Sequence, residues 1–134
     1  MHTTNYYNTF IAVSEDCPVA FAESPPKKIK KTGATIEFDM LKNCPYQYTS
    51  DEVLFQVYVV KNNISAANWA DEKQKFFSKG QACFRTSSLT KRYGWGVHYN
   101  AEGKMAIYAM ESEDYKQFVQ DKNLKILKAM RLQK

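Results

Sequence analysis

Residues 76–99 read FFSKGQACFRTSSLTKRYGWGVHY and gather the groups best able to do chemistry. Lys79, Arg85, Lys91 and Arg92 are interleaved there with the hydroxyls of Ser78, Thr86, Ser87, Ser88 and Thr90 and with three glycines. Hydroxyls, backbone N–H groups bared by glycine and the forked donors of arginine are the groups that hold phosphate or carboxylate oxygens. Gly94-Trp95-Gly96 sets a large ring between two small residues, available either to stack on a ligand or to fill the core. The spacing therefore points to an anion site within 79–98, with Arg85, Lys91, Arg92, Trp95 and His98 as its ligand-binding residues. Neither the GxxxxGK loop followed by Ser or Thr nor GxGxxG occurs, so no standard phosphate-loop fingerprint is present.

Two other chemistries compete for the same residues. An enzyme would use Cys83 as nucleophile and His98 as base, with Asp51 or Glu52 orienting the imidazole. The residues around Cys83 match neither cysteine-protease signature, and an inert buried thiol is the plainer reading. No pair of acids stands out as a glycosidase dyad. Single-stranded nucleic acid could instead lie on a sheet face bearing Tyr58, Tyr99 and Tyr108. Arg92–Tyr99 shares only its leading Arg and its Val97-x-Tyr99 end with the aromatic motif of RNA-recognition domains. Cys17, Cys44 and Cys83 are widely spaced with no CxxC, and only His2 and His98 could join them, so neither a structural metal nor a cofactor is expected.

The charge balance agrees with an anionic partner. The net charge of +5 is uneven: residues 1–60 carry five Lys against seven acids, whereas 61–134 carry fourteen Lys or Arg against seven. Basic residues cluster at 27–31, at Arg85, Lys91 and Arg92, and at Lys122, Lys125, Lys128, Arg131 and Lys134. Such clusters attract phosphates by steering and counterion release, although Lys-rich faces also serve solubility alone. With 134 residues, 44% of them hydrophobic, the chain is expected to form a single domain over 1–134. No apolar run approaches the length of a bilayer span, and no secretory signal is visible at the N-terminus. These features suggest a cytoplasmic protein with free thiols and no membrane partner.

The elements that must position these residues follow from pattern. Tyr6–Ser14 reads as a strand. Asp16–Lys31, with three prolines and the first lysine cluster, reads as a loop. Ala34–Asn43 fits two patterns, since Ile36 and Met40 fall at helical spacing while Ile36, Phe38 and Met40 alternate as in a strand; the Asn43-Cys44-Pro45 stop favours a short helix. Val53–Val60 (VLFQVYVV) is near-continuously apolar and β-branched, which predicts a central strand buried on both faces. Ser65–Lys79 suits a helix capped by Ser65 and ended at Gly80. Trp95–Asn100 and Lys104–Met110 form a predicted hairpin with Gly103 in the left-handed position. Ser112–Asp121 reads as a helix capped by Ser112, and Asn123–Gln133 leans to a strand. The predicted fold is α+β: a mainly antiparallel sheet, two or three helices, ferredoxin-like βαββαβ order from residue 53 and an N-terminal strand.

The chain resembles, nearly end to end, a family of small, mostly bacterial proteins classed as a domain of unknown function. The resemblance rests on MHTTNYYNTFIAVSEDCP at 1–18, YTSDEVLFQV at 48–57, FFSKGQACFR at 76–85, LTKRYGWGVH at 89–98, GKMAIYAMES at 103–112 and AMR at 129–131. It implies one domain and no known activity, cofactor or catalytic residue, and it implies that Cys44 is dispensable. The expectation for function is a binding module for a phosphate-bearing small molecule or nucleic acid. The alternatives are an enzyme centred on Cys83 and His98, or a self-associating homo-oligomer.

Overall fold

The structure is a computed structural model and describes residues 2–27 and 32–132. Thr9–Ala12 (TFIA) is buried along its whole length and forms β1, the strand around which the sheet is built. The chain next forms helix α1 (Gly33–Asn43), helix α2 (Ser50–Lys61), helix α3 (Trp69–Phe77) and the single-turn helix α4 (Ser88–Lys91). Strands β2 (Trp95–Tyr99) and β3 (Met105–Ala109), helix α5 (Glu113–Val119) and strand β4 (Lys125–Lys128) complete it. No helix among the described residues is long and apolar enough to cross a membrane.

The sheet order is β3-β2-β1-β4, antiparallel for β1 with β2 and β2 with β3 but parallel for β1 with β4. The sheet is thus mixed: two of its three pairings are antiparallel, as expected, and the pairing of β1 with β4 is parallel. Strands β3 and β4 run in the same direction, so α5 carries the chain back across two intervening strands, as parallel pairing requires. Five helices replace the expected two or three among the described residues. The ferredoxin-like order from residue 53 does not hold, because the segment expected to supply its first strand is helical and β1 takes that place in the sheet.

Helix α2 explains the error. Thr49 accepts the Glu52 N–H and Glu52 returns a bond to the Thr49 N–H, a complete capping box, and Asp51 and Glu52 lie at the positive end of the helix. Val53 enters the main core, while Phe55 and Val59 enter a second cluster with Phe77. Burial against two clusters makes the helix apolar on more than one face, which reads in sequence like an inner strand. Helix α3 also starts later than expected: Ala66–Asn68 form a 3-10 turn, and the Ser65 side chain makes no cap bond. It ends at Phe77, capped by Ser78 rather than at Gly80.

Other elements match their patterns. Helix α1 is capped by Thr32, which accepts the Thr35 N–H, and ends before Pro45. Ser112 caps α5 in the same way. Gly103 closes the β2–β3 hairpin at φ 80°, where its N–H reaches the Asn100 carbonyl.

Side chains alternate across the sheet, and this places the functional groups. One face carries Ile11, Trp95, Val97, Tyr99, Met105 and Ile107 and packs with Leu41, Val53, Phe84 and Leu89 into the main core. The other face carries Phe10, His98 and Tyr108 under Tyr115 and Phe118 of α5. Gly96 makes that layer fit: a Cβ there would lie 2.5 Å from Phe10 and 2.6 Å from Tyr115.

Candidate functional site

The segment 83–93 is held by buried anchors. Phe84, Leu89 and Thr90 are inaccessible to solvent, and the Thr90 hydroxyl donates to the carbonyl of Phe84 at 2.8 Å. Ser87 caps α4 by accepting the Leu89 N–H. The chain beyond β4 docks alongside: Arg85 Nε donates to the Lys128 carbonyl, and the Met130 N–H donates to the Arg85 carbonyl, both at 2.7 Å. The polar and charged side chains between the anchors are therefore fixed in direction rather than loosely displayed.

Between this segment and the end of β4 lies a groove of about 580 Å³. Arg85 and Lys91 line it from one side, Lys128 and Arg131 from the other, with Ala129 and Met130 as apolar floor and Glu15 as its one acid. Lys128 pairs with Glu15 at 2.9 Å. That pair is exposed and contributes little to stability, but the lysine, helped by Arg131, holds the Glu15 carboxyl below its ordinary range. Arg85, Lys91 and Arg131 have no carboxylate partner among the described residues. The groove can thus take an anion with an apolar body.

The five predicted ligand-binding residues do not form one site. Arg85 and Lys91 share the groove, but the exposed Arg92 does not line it. Trp95 is buried in the core, its Nε1 donating to the Glu23 carbonyl at 2.8 Å and its ring against Phe38, with Lys42 above it. It is no stacking platform. His98 lies on the opposite face of the sheet, stacked on Phe118 at 4.3 Å. Tyr46, held at φ 60°, bridges His98 Nδ1 and the Tyr108 hydroxyl at 2.7 Å each. Burial lowers the pKa of His98, against a smaller opposing pull from Asp121.

Alternation along β2 likewise separates the enzyme pair. Cys83 lies beside the Tyr6 hydroxyl at 3.2 Å, and the Tyr6 ring packs on Tyr99, one residue after His98 and facing the other way. His98 therefore cannot serve Cys83 as base. The proposed orienters are also committed elsewhere: Asp51 accepts from Thr3 and Thr4, and Glu52 completes the capping box. Tyr58, Tyr99 and Tyr108 form no nucleic-acid platform, because Tyr58 is on α2, Tyr99 is fully buried and Tyr108 is bonded to Tyr46. Burial and the adjacent Cys83 push the Tyr6 hydroxyl up to about 12. The three cysteines are free. Of the first basic cluster, only Lys27 falls within the described residues.

Pattern reading passed over one group. Glu37 is buried on α1, 8% exposed, and accepts the Ser87 hydroxyl at 2.7 Å. Burial raises its pKa from 4.5 to about 7, against smaller opposing effects of Ser87 and Lys61. An acid between Ile36 and Phe38, both turned toward the interior, was the available signal.

Fold and groove together define a small α+β domain with a basic groove where segment 83–93 meets the end of β4. The chain belongs to the family of unknown function DUF6157, which it matches over residues 1–134. No curated protein and no solved structure matches it.

Proposed function

We propose that the protein is a binding module for a phosphate-bearing small molecule, held in the groove between Arg85 and Lys91 on one side and Lys128 and Arg131 on the other. The observation that carries this reading is the convergence of four cations from distant parts of the chain on one concave, apolar-floored space of about 580 Å³. That volume falls within the range of pockets for nucleotide-sized ligands. The Nε of Arg85 is tied to the Lys128 carbonyl, so its remaining guanidinium donors are oriented before a ligand arrives. A single groove suits a compact ligand better than a nucleic acid, which needs an extended basic track.

Titration of ATP and inorganic pyrophosphate against the protein and its Lys91→Ala/Arg131→Ala variant tests the reading. Neither side chain has a structural partner among the described residues, so the fold is expected to survive. The wild type should bind with a salt-dependent affinity. Each cation removed should weaken binding by roughly tenfold and flatten the salt slope by about one. Equal affinity of the two proteins, or no saturable binding, would overturn it. A single-stranded oligonucleotide bound more tightly than ATP would move the assignment to nucleic acid.

A further inference from the structure

Segment 83–93 has a second side. Opposite the basic groove, and sharing only Thr86 with it, lies a cleft of about 420 Å³ whose polar lining includes Thr32, Glu37, Cys83, Ser87, Ser88 and Tyr93. Its character is the reverse of the groove's: among the described residues Glu37 is its single charged side chain.

The hydrogen bonds set the state of that carboxyl. The Ser87 oxygen already accepts the Leu89 N–H, so its hydroxyl proton is directed at Glu37 Oε1. Among the described residues the other carboxyl oxygen has no hydrogen-bond partner, and no Lys, Arg or His pairs with Glu37. Glu37 is 8% exposed, and an ionised carboxylate so largely removed from water is stabilised by a cation that pairs with it. The carboxyl borders a cleft lined by hydroxyls that can accept further N–H groups.

We infer that this cleft binds a small organic cation, a primary ammonium or amidinium group seated on Glu37 with its other N–H donors directed at the surrounding hydroxyls. Cation binding here requires no ligand in the basic groove. Because burial keeps Glu37 largely protonated below about 7, binding must expel that proton, and the affinity depends on pH. A site competent only when ionised is about tenfold more available at about pH 8 than at about pH 6. The other titratable groups facing Glu37 are Cys83 and Tyr93 across the cleft, Tyr99 from β2 and Lys61 at the end of α2. Cys83→Ser removes the thiol among them.

The test is an amide-resolved NMR titration of the full chain with benzylamine, benzamidine and, as an uncharged isostere, benzyl alcohol. Benzylamine and benzamidine should shift the amides of Thr32, Glu37, Ser87 and Ser88 saturably. Their affinity should rise about tenfold between about pH 6 and about pH 8, in the wild type and in Cys83→Ser alike. Glu37→Gln keeps an oxygen to accept from Ser87, so it should stay folded while losing both the binding and its pH dependence. Equal binding of benzyl alcohol, undiminished binding by Glu37→Gln, or no saturable shift up to about 10 mM benzylamine would each overturn the inference. The benzyl alcohol comparison uses the wild type alone, so it decides even if the variant fails to fold.

Discussion

Glu37 is where a single residue most directly links fold to chemistry. Its carboxyl holds Ser87, Ser87 caps α4, and α4 carries Lys91 into the basic groove. The same burial makes its proton a stability variable. Below about pH 4.5 the carboxyl is protonated whether the chain is folded or not, and burial exacts no charge penalty. As the pH rises, the unfolded chain releases this proton while the folded chain keeps it until about 7, so stability falls across that window and levels off above it. The loss should be on the order of 3 kcal/mol. His98 acts in the opposite sense, since its lowered pKa makes the folded state lose stability as the pH falls below 6.5. Urea unfolding of wild type and Glu37→Gln over this pH range separates the two, because the His98 contribution cancels in the difference. The difference should grow from about pH 4.5 to about pH 7; a flat difference would mean that the folded carboxyl titrates normally.

Among the elements, α2 shows how a local signal and a pattern can compete. The Thr49 hydroxyl caps this helix by accepting the Glu52 N–H, so Thr49→Ala should cost about 1 kcal/mol in chemical denaturation, with an unchanged dependence on denaturant. An undetectable loss would mean that burial of Val53 and Phe55 alone fixes the helix start. The valines and aromatics of 53–60 read as an inner strand, because a helix packed against two clusters has apolar residues on more than one face. Strand β1, the hairpin and α5 carry short patterned runs with a local stop or cap, and those were readable; for α1 the stop before Pro45 decided between helix and strand. Half the groove was readable for the same reason: Arg85 and Lys91 lie in one conspicuous stretch. Their companions Lys128 and Arg131 looked like a solvated tail. They reach the groove only through the parallel pairing of β4 with β1, a long-range contact with no local trace. The alternation that sends Trp95 into the main core and His98 to the opposite face was implicit in the strand assignment, and would have divided the predicted site beforehand.

At the scale of the whole molecule, the core is divided unequally. The main cluster unites the sheet with α1, α2 and the segment 83–93, whereas Phe55, Val59 and Phe77 form a separate cluster to which Tyr58, Ile64 and Phe76 add partial cover. Helix α3 belongs only to the second cluster. Phe77 is its one buried residue, Trp69 is 39% exposed, and outside the cluster it is tied by the His2 N–H to the Phe77 carbonyl. Regions with few buried apolar contacts open at lower free energy than the global transition. Both candidate ligand sites, in contrast, lie against the main cluster: Arg85 and Ser87 closely follow Phe84, and Lys91 lies two residues after Leu89. Ligand binding at either site should therefore protect the sheet and leave α3 unchanged. Native-state amide exchange at low denaturant tests this division. Amides of α3 should exchange through an opening of small denaturant dependence, at least about 2 kcal/mol below that of β1 and β2. Phe77→Ala should widen that gap while leaving the exchange of β1 nearly as in the wild type. If the α3 amides instead exchange only with global unfolding, the two clusters act as one core, and the basic groove and the Glu37 cleft would then be coupled to every helix.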